Sequence, residues 1–177
     1  MNKRIDKTNY YLNLAETVTE RSTCLKRKYG AIIVKNDAII STGFNGASRG
    51  VESCLECGYC LREKAERGTD YSNCLSVHAE QNCIIHASRE QMIDSDLYLV
   101  GLEEQFISKR AENVPFSPYI SQQIKKYVDN PEPCALCKRM IINSGIKRVI
   151  VRLDKYEYKT FNVNEWVENK KKLTGGY

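Results

Sequence analysis

Apolar residues recur along the first part of the chain with two periods, one typical of helices and one typical of strands. At residues 8–21 they fall every three or four positions opposite a mostly polar face, which predicts an amphipathic helix. Residues 31–34 and 38–41 are β-rich runs joined by Lys35-Asn36-Asp37, a pattern that predicts a hairpin. Residues 43–50 contain three glycines and are predicted to form a loop.

The second half continues the alternation of helical and strand-like patterns. It predicts helices at 77–88 and from Pro133 through Met140 and Ile142 to a stop at Gly145, strands at 97–102 and 147–153, and a terminal helix around Trp166. Strands that alternate with helices after an initial hairpin indicate an α/β sandwich with helices on both faces of the sheet.

One long connection interrupts this pattern. Residues 103–131 contain Pro115 and Pro118 before an amphipathic stretch at 120–128, and they are predicted to form an irregular insertion. Connections of this length are often functional. A substrate lid, an oligomer contact and an allosteric element all remain open as its role.

The composition is that of one globular domain spanning residues 1–177, with 42% hydrophobic and 28% charged residues. Neither an apolar run of membrane-spanning length nor the apolar region of a signal peptide is evident, so we expect a cytoplasmic protein without a membrane partner. In such a reducing compartment, the eight cysteines are expected to bind metal or pack in the core. Their even number leaves a disulfide framework as the alternative.

The net charge of +5 is a mild excess of 27 basic over 22 acidic residues. It is compatible with an anionic substrate. The basic residues occur in short clusters, for example Lys170 to Lys172, which a solvated surface explains as well as nucleic acid does.

Two short motifs bring together residue types that bind and use zinc. His78-Ala79-Glu80 offers an imidazole and a carboxylate, and Pro133-Cys134-Ala135-Leu136-Cys137 offers two thiols on one face of a helix. The dipole at the start of that helix favours their thiolate forms. Three ligands, His78, Cys134 and Cys137, leave a fourth zinc position open, which is typical of a catalytic site.

Glu80 is the predicted proton carrier of this site. A carboxylate beside a zinc-activated water can take a proton from that water and pass it to a substrate. The alternative is a closed structural zinc site, but such a site requires a fourth cysteine or histidine nearby, and it has no use for Glu80.

The combined pattern H-x-E…P-C-x-x-C is the signature of zinc nucleobase deaminases. Beyond it, the chain resembles the cytidine and deoxycytidylate deaminase family over most of residues 8–153, and within that family the deoxycytidylate deaminases. The matching segments are residues 21–24, 29–34, 43–46, 78–82 and 133–149.

The resemblance implies a three-layer α/β/α sandwich with a central mixed five-stranded sheet, and zinc-dependent conversion of deoxycytidylate (dCMP) to dUMP and ammonia. It also implies that Asn45 holds the sugar hydroxyl and that the backbone around Ala79 meets the pyrimidine carbonyl. The expected assembly is a homo-oligomer, a dimer or a hexamer, with nucleic acid not expected as a partner.

Arg89 is the candidate for binding the 5′-phosphate. It follows His78 by about three helical turns and therefore faces a similar direction. A guanidinium group pairs bidentately with phosphate. A solvated arginine at the end of the helix is the alternative.

Six further cysteines suggest a second, structural zinc. Family members that carry such a zinc have cysteines matching Cys24 and Cys54, and four ligands are required. We predict Cys24, Cys54, Cys60 and Cys74, with Cys57 as an open replacement for one of them. Cys83 is interpreted as a packing residue on the catalytic helix.

Two other functions remain open at the level of the sequence. A tRNA adenosine deaminase, or another nucleobase deaminase, shares the metal motifs and resembles Glu132-Pro133-Cys134. A non-catalytic zinc-binding module is the third interpretation, and Glu80 argues against it.

Overall fold

The computed structural model describes residues 4–64, 73–109 and 120–174. Its helices are α1 (Lys7–Thr19), α2 (Cys54–Cys57), α3 (Ala79–Ile85), α4 (Arg89–Met92), α5 (Ala135–Ser144) and α6 (Val163–Glu168), followed by a 3₁₀ turn at Lys170–Leu173. Its strands are β1 (Arg27–Lys35), β2 (Ala38–Phe44), β3 (Gly46–Ala47), β4 (Ser76–Val77), β5 (Asp96–Lys109), β6 (Ile120–Tyr127), β7 (Arg148–Arg152) and β8 (Tyr158–Asn162).

The central sheet is mixed, as predicted, and five of its strands lie in the order β2-β1-β5-β7-β8. Strand β1 is antiparallel to β2 and β5, whereas β5 and β7 run parallel. The β1–β2 hairpin turns at Asn36 and Asp37, which both adopt positive φ angles, as a tight hairpin with right-handed strand twist requires. The helix α5 lies between the parallel strands β5 and β7 in the chain.

Helices cover both faces because the strand residues alternate between two apolar clusters. On β1, Ile32 and Val34 pack in the cluster beneath α1, whereas Ala31 and Ile33 pack in the cluster that contains residues of α3 and α5. The same alternation on β5 and β7 completes both clusters. The predicted three-layer α/β/α sandwich is therefore confirmed.

The prediction of five strands is wrong, because a sixth strand pairs with the far half of β5. Residues 102–109 of β5 pair in antiparallel register with residues 120–127 of β6. The segment predicted to be an irregular insertion therefore begins and ends in regular strands. Its two prolines lie at 115 and 118, outside the described residues. The 120–128 stretch was ambiguous because an amphipathic run of that length fits a strand as well as a helix.

Three predicted boundaries also change. Gly43 and Phe44 belong to β2, and the two-residue strand β3 lies within the predicted loop, paired with β4. Helix α3 ends at Ile85, because Ser88 caps a separate helix, α4. Helix α5 begins at Ala135 rather than Pro133, because Cys134 is its N-cap residue, whereas its predicted end at a left-handed Gly145 is confirmed.

In the described part of the chain, every helix is too short or too polar to cross a membrane.

Candidate active site

The starts of α3 and α5 meet and bring the three predicted zinc ligands together. His78 is the N-cap residue of α3 and Cys134 is the N-cap residue of α5. The Nδ1 atom of His78 lies 3.6 Å from Sγ of Cys134 and 3.4 Å from Sγ of Cys137. Among the described residues, these three side chains form the group whose ligand atoms all lie within 4.8 Å of one another.

These separations fit a tetrahedral zinc ion. Zinc–sulfur bonds of about 2.3 Å and zinc–nitrogen bonds of about 2.0 Å place sulfur and nitrogen ligands roughly 3.5 Å apart at a tetrahedral angle. The two S···N distances lie on either side of that value. The donor set of one imidazole and two thiolates also matches the ligand preference of zinc.

The position of α3 depends on a close approach to β2. At Gly43 a β-carbon would lie 2.4 Å from both the Ala79 carbonyl oxygen and the Cys83 backbone nitrogen, so only glycine fits there. Asn82 donates from Nδ2 to the carbonyl of Phe44 at 2.7 Å. Ser41 donates to the carbonyl of Cys83 at 2.8 Å. The start of α3, with His78 and Glu80, is therefore held rigidly against the sheet.

Glu80 is nearly inaccessible to solvent, with 5% of its surface exposed. Burial raises the pKa of its carboxyl group above the ordinary value, although the neighbouring His78 charge opposes this. Its carboxyl group also interacts with the Cys137 thiol, so it faces the ligand cluster without belonging to it. A carboxyl group with a raised pKa beside a candidate metal site is suited to accept and return a proton.

The protonation of the ligands reflects their mutual contacts. A hydrogen bond from Cys137 and a second with His78 lower the pKa of Cys134 to about 4, against the effect of its burial. The pKa of Cys137 is raised by the same pairing and by burial. Burial disfavours a charged His78, but contact with Cys134 and the charge of Glu80 outweigh it and raise its pKa.

Asn45 is buried and is held by surrounding groups. Its Oδ1 accepts hydrogen bonds from Ser22 Oγ and from the Tyr29 backbone N–H, both at 2.7 Å. Its Nδ2 donates to the Arg27 carbonyl at 2.9 Å. An asparagine amide offers two acceptor and two donor positions, so one N–H of Asn45 remains for a ligand.

The other two predicted substrate contacts occupy different surroundings. Ala79 is fully buried as the first residue of α3, where the backbone N–H has no intrahelical acceptor. Arg89 begins α4 instead of continuing α3, and its Nε donates to the Asn143 carbonyl at 3.1 Å. Its exposed guanidinium group therefore links α4 to the end of α5.

Five half-buried cysteines remain, Cys24, Cys54, Cys57, Cys60 and Cys74, and among the described residues their thiols form no second group of three or more ligand atoms within 4.8 Å of one another. Burial raises the pKa of the Cys54 thiol, and the neighbouring thiols Cys60, Cys24, Cys57 and Cys74 raise it further. The Cys57 thiol donates to the Ser53 carbonyl at 2.8 Å.

Cys83 is interpreted correctly as a packing residue. It is fully buried in the core cluster, and burial raises its pKa to about 12, which keeps the thiol neutral.

Arg62 is a basic residue near His78 that the sequence analysis did not single out. Its charge is close enough to His78 to oppose the rise in the histidine's pKa described above. Lys26 holds this turn in place by donating to the carbonyls of Arg62 and Glu63. The segment has neither periodicity nor a motif, so nothing in the sequence distinguished Arg62 from the other 26 basic residues.

Comparisons with known proteins find similar deoxycytidylate deaminases. A deoxycytidylate deaminase of Mycobacterium phage D29 is 30% identical over 151 residues, which cover 83% of this chain and 94% of the phage protein. A deoxycytidylate deaminase of Enterobacteria phage T2 is 44% identical, covering 81% of this chain and 78% of that protein. The crystal structure of the cyanophage S-TIM5 dCMP deaminase, in complex with dCMP and dUMP, superposes with a TM-score of 0.53 at 25% identity, covering 84% of each chain.

The family model described as the cytidine and deoxycytidylate deaminase zinc-binding region matches residues 5–153. This match spans all three ligands of the candidate zinc site, together with Glu80. The chain belongs to the cytidine and deoxycytidylate deaminase family.

Proposed function

We propose that this protein converts dCMP to dUMP and ammonia by hydrolysis at C4 of the pyrimidine. The observation that carries this proposal is the convergence of His78, Cys134 and Cys137 next to the buried Glu80 carboxyl group. The choice of dCMP rests on the similarity to the S-TIM5 enzyme, whose structure contains dCMP and dUMP.

Glu80 moves the protons of the reaction. His78, Cys134 and Cys137 would hold a zinc ion, which would act as a Lewis acid and lower the pKa of water to about 7. Glu80 takes a proton from the attacking water and delivers it to ring N3 as the C4–O bond forms. It then takes the second proton from the new C4 hydroxyl and gives it to the amino group, so the C4–N bond breaks, ammonia leaves and a C4 carbonyl remains.

Asn45 and Ala79 are the proposed contacts to the nucleoside part. The one free N–H of Asn45 can donate to a sugar oxygen, so the sugar hydroxyl acts as the acceptor in this bond. The backbone N–H of Ala79 lacks an intrahelical acceptor and is suited to donate to the pyrimidine carbonyl.

A substrate panel tests the proposal. Zinc-loaded protein is offered dCMP, CMP, dCTP, deoxycytidine and an adenosine-containing tRNA, and ammonia release is measured for each. The proposal predicts the highest kcat/KM for dCMP. Activity on tRNA alone would favour the adenosine deaminase alternative, and inactivity on all five would favour a non-catalytic zinc module.

Arg89 and Arg62 are alternative contacts for the 5′-phosphate. Arg89 is a candidate because of its spacing from His78 in the sequence. Arg62 is a candidate because its charge lowers the pKa of His78. The variants Arg89→Gln and Arg62→Gln distinguish them, with dCMP and deoxycytidine as matched substrates. Loss of the phosphate contact lowers kcat/KM for dCMP and leaves that for deoxycytidine unchanged, because only dCMP carries the charge.

We also propose a second zinc bound by Cys24, Cys54, Cys60 and Cys74. The electrostatic influence of the other four thiols on the Cys54 thiol supports it, and the hydrogen bond from Cys57 to the Ser53 carbonyl favours leaving Cys57 out of the ligand set. Elemental analysis of the purified protein is expected to give two zinc ions per chain. One zinc per chain would remove this site and leave the catalytic site unaffected.

A cytoplasmic homo-oligomer is the proposed form of the protein. Strand β2 is an edge of the sheet order, and its Ile39 is 44% exposed. Ile85 on α3, the helix that packs on β2, is 66% exposed. Edge strands with exposed apolar side chains are natural pairing surfaces. Sedimentation of the wild type and of Ile85→Lys is expected to show a dimer or hexamer that the substitution weakens.

A further inference from the structure

Lys138 is an unusual buried lysine beside the zinc ligands. It directly follows Cys137 in α5, and 8% of its surface is exposed. Its Nζ lies 2.6 Å from Oε1 of Glu132, two residues before Cys134. A buried ammonium group is costly to desolvate unless a carboxylate compensates it at short distance, and Glu132 provides that carboxylate.

The two residues of this ion pair flank both cysteine ligands in the sequence. Glu132 lies just before α5, and Lys138 lies in the first turn of the helix. The pair therefore links the two ends of the stretch from Glu132 to Lys138. The backbone N–H of Lys138 also donates to the Cys134 carbonyl at 2.9 Å. Together, these contacts restrict how far the Cys134 thiol can move relative to Cys137.

A third residue, Trp166, contacts this ion pair, and it lies beyond the region matched by the family model, which ends at residue 153. The ring of Trp166 in α6 is fully buried, and Lys138 Nζ lies 5.4 Å from its centroid. This is within the range of a cation–π interaction, which strengthens when the cation is desolvated. Phe161 packs on the same tryptophan, with ring centroids 5.9 Å apart. The C-terminal part of the chain thus packs against the Lys138 side chain.

We propose that Lys138 is a positioning residue, which holds Cys134 and Cys137 in the geometry zinc requires by pairing with Glu132 and resting on Trp166. This role rests on the proposed catalytic zinc. Residues that orient metal ligands from outside the coordination shell contribute about 10- to 100-fold to metal affinity. The same range is expected here, although neither charged group touches the zinc.

Zinc affinity is the direct test, measured by competition with a chromophoric chelator for the wild type, Lys138→Met, Glu132→Gln and the double variant. Each single variant is expected to weaken zinc binding about 10-fold or more. The double variant is expected to be no weaker than the worse single variant, because both substitutions remove the same pair. Lys126→Met is the matched control, since it breaks the exposed Lys126–Asp129 pair, 3.2 Å apart.

A merely structural role for Lys138 gives a different result. In that case Lys138→Met lowers the urea midpoint of the metal-free protein while its zinc dissociation constant stays within twofold of the wild type, and the proposal is overturned. Glu132→Gln serves where Lys138→Met does not fold, because the Glu132 side chain is 36% exposed. A wild type that binds no zinc overturns the proposed function itself, which distinguishes the two failures.

Discussion

The substitution Gly43→Ala tests how strictly the fold controls the distance between α3 and the sheet. The added β-carbon would lie 2.4 Å from the Ala79 oxygen and from the Cys83 nitrogen. That is about 1 Å short of ordinary van der Waals contact, which begins near 3.4 Å. Both neighbours are backbone atoms of α3, so relief requires the helix itself to move.

A movement of about 1 Å separates Glu80 from its position beside the α5 ligands. Misplacement of catalytic groups by this distance can cost about 100-fold in rate, and we expect kcat to fall by that order. Overpacking is also expected to lower the free energy of unfolding by about 1–3 kcal/mol.

Steady-state deamination and urea unfolding, performed on the same preparations, measure both effects. Thr42→Ala is the control, because Thr42 neighbours Gly43 on β2 but is exposed. A Gly43→Ala protein that keeps wild-type kcat would refute the reasoning that α3 is rigidly positioned.

Three further predictions concern Glu80, the buried Arg152 and alkaline pH. Glu80→Gln is expected to lower kcat by at least about 100- to 10,000-fold while zinc content stays unchanged, since the carboxyl group carries protons but is not a ligand; loss of zinc would contradict it. Arg152 is fully buried and donates to Oδ1 of Asn9 and of Asn13, both at 2.6 Å. Arg152→Met is expected to cost about 2 kcal/mol in urea unfolding, and a change below about 0.5 kcal/mol would contradict this. Burial raises the pKa of Tyr98 and of Tyr127 to about 12. The contribution of these tyrosines to the free energy of unfolding is therefore expected to be fully present below the ordinary tyrosine pKa of about 10 and to be lost as the pH rises towards 12. The double Tyr→Phe variant should flatten this dependence of unfolding free energy on pH.

The grouping of the candidate zinc ligands could be predicted from the sequence because its geometry is local. The candidate ligands Cys134 and Cys137 lie one helical turn apart at a helix start, and His78 and Glu80 begin another helix. Each pair is thus arranged by short-range structure, and a single helix–helix contact joins the two. The alternation of strand residues between two faces likewise follows from the period of the pattern alone.

Other features depend on contacts between distant parts of the chain. Nothing in the spacing of Asn45 shows that Ser22, Tyr29 and Arg27 already occupy three of its four hydrogen-bonding positions. Arg89 does not continue the helix of His78, since Ser88 starts a new one.

The strand β6 could not be predicted from the sequence for a related reason. Its partner is the far half of β5, and only that pairing distinguishes an amphipathic strand from an amphipathic helix of the same length. The two prolines between the strands indicate an irregular connection and carry no signal for the paired ends.

The most direct test of the central claim follows the oxygen that enters the pyrimidine from water and the nitrogen that leaves it as ammonia. Zinc-loaded protein is incubated with dCMP in oxygen-18-enriched water, and dUMP is analysed by mass spectrometry while ammonia is quantified. The proposed mechanism predicts dUMP that carries one heavy oxygen at C4, ammonia in equal molar amount, and almost no product with Glu80→Gln. Unlabelled dUMP, unequal ammonia, or undiminished turnover by Glu80→Gln would contradict the account.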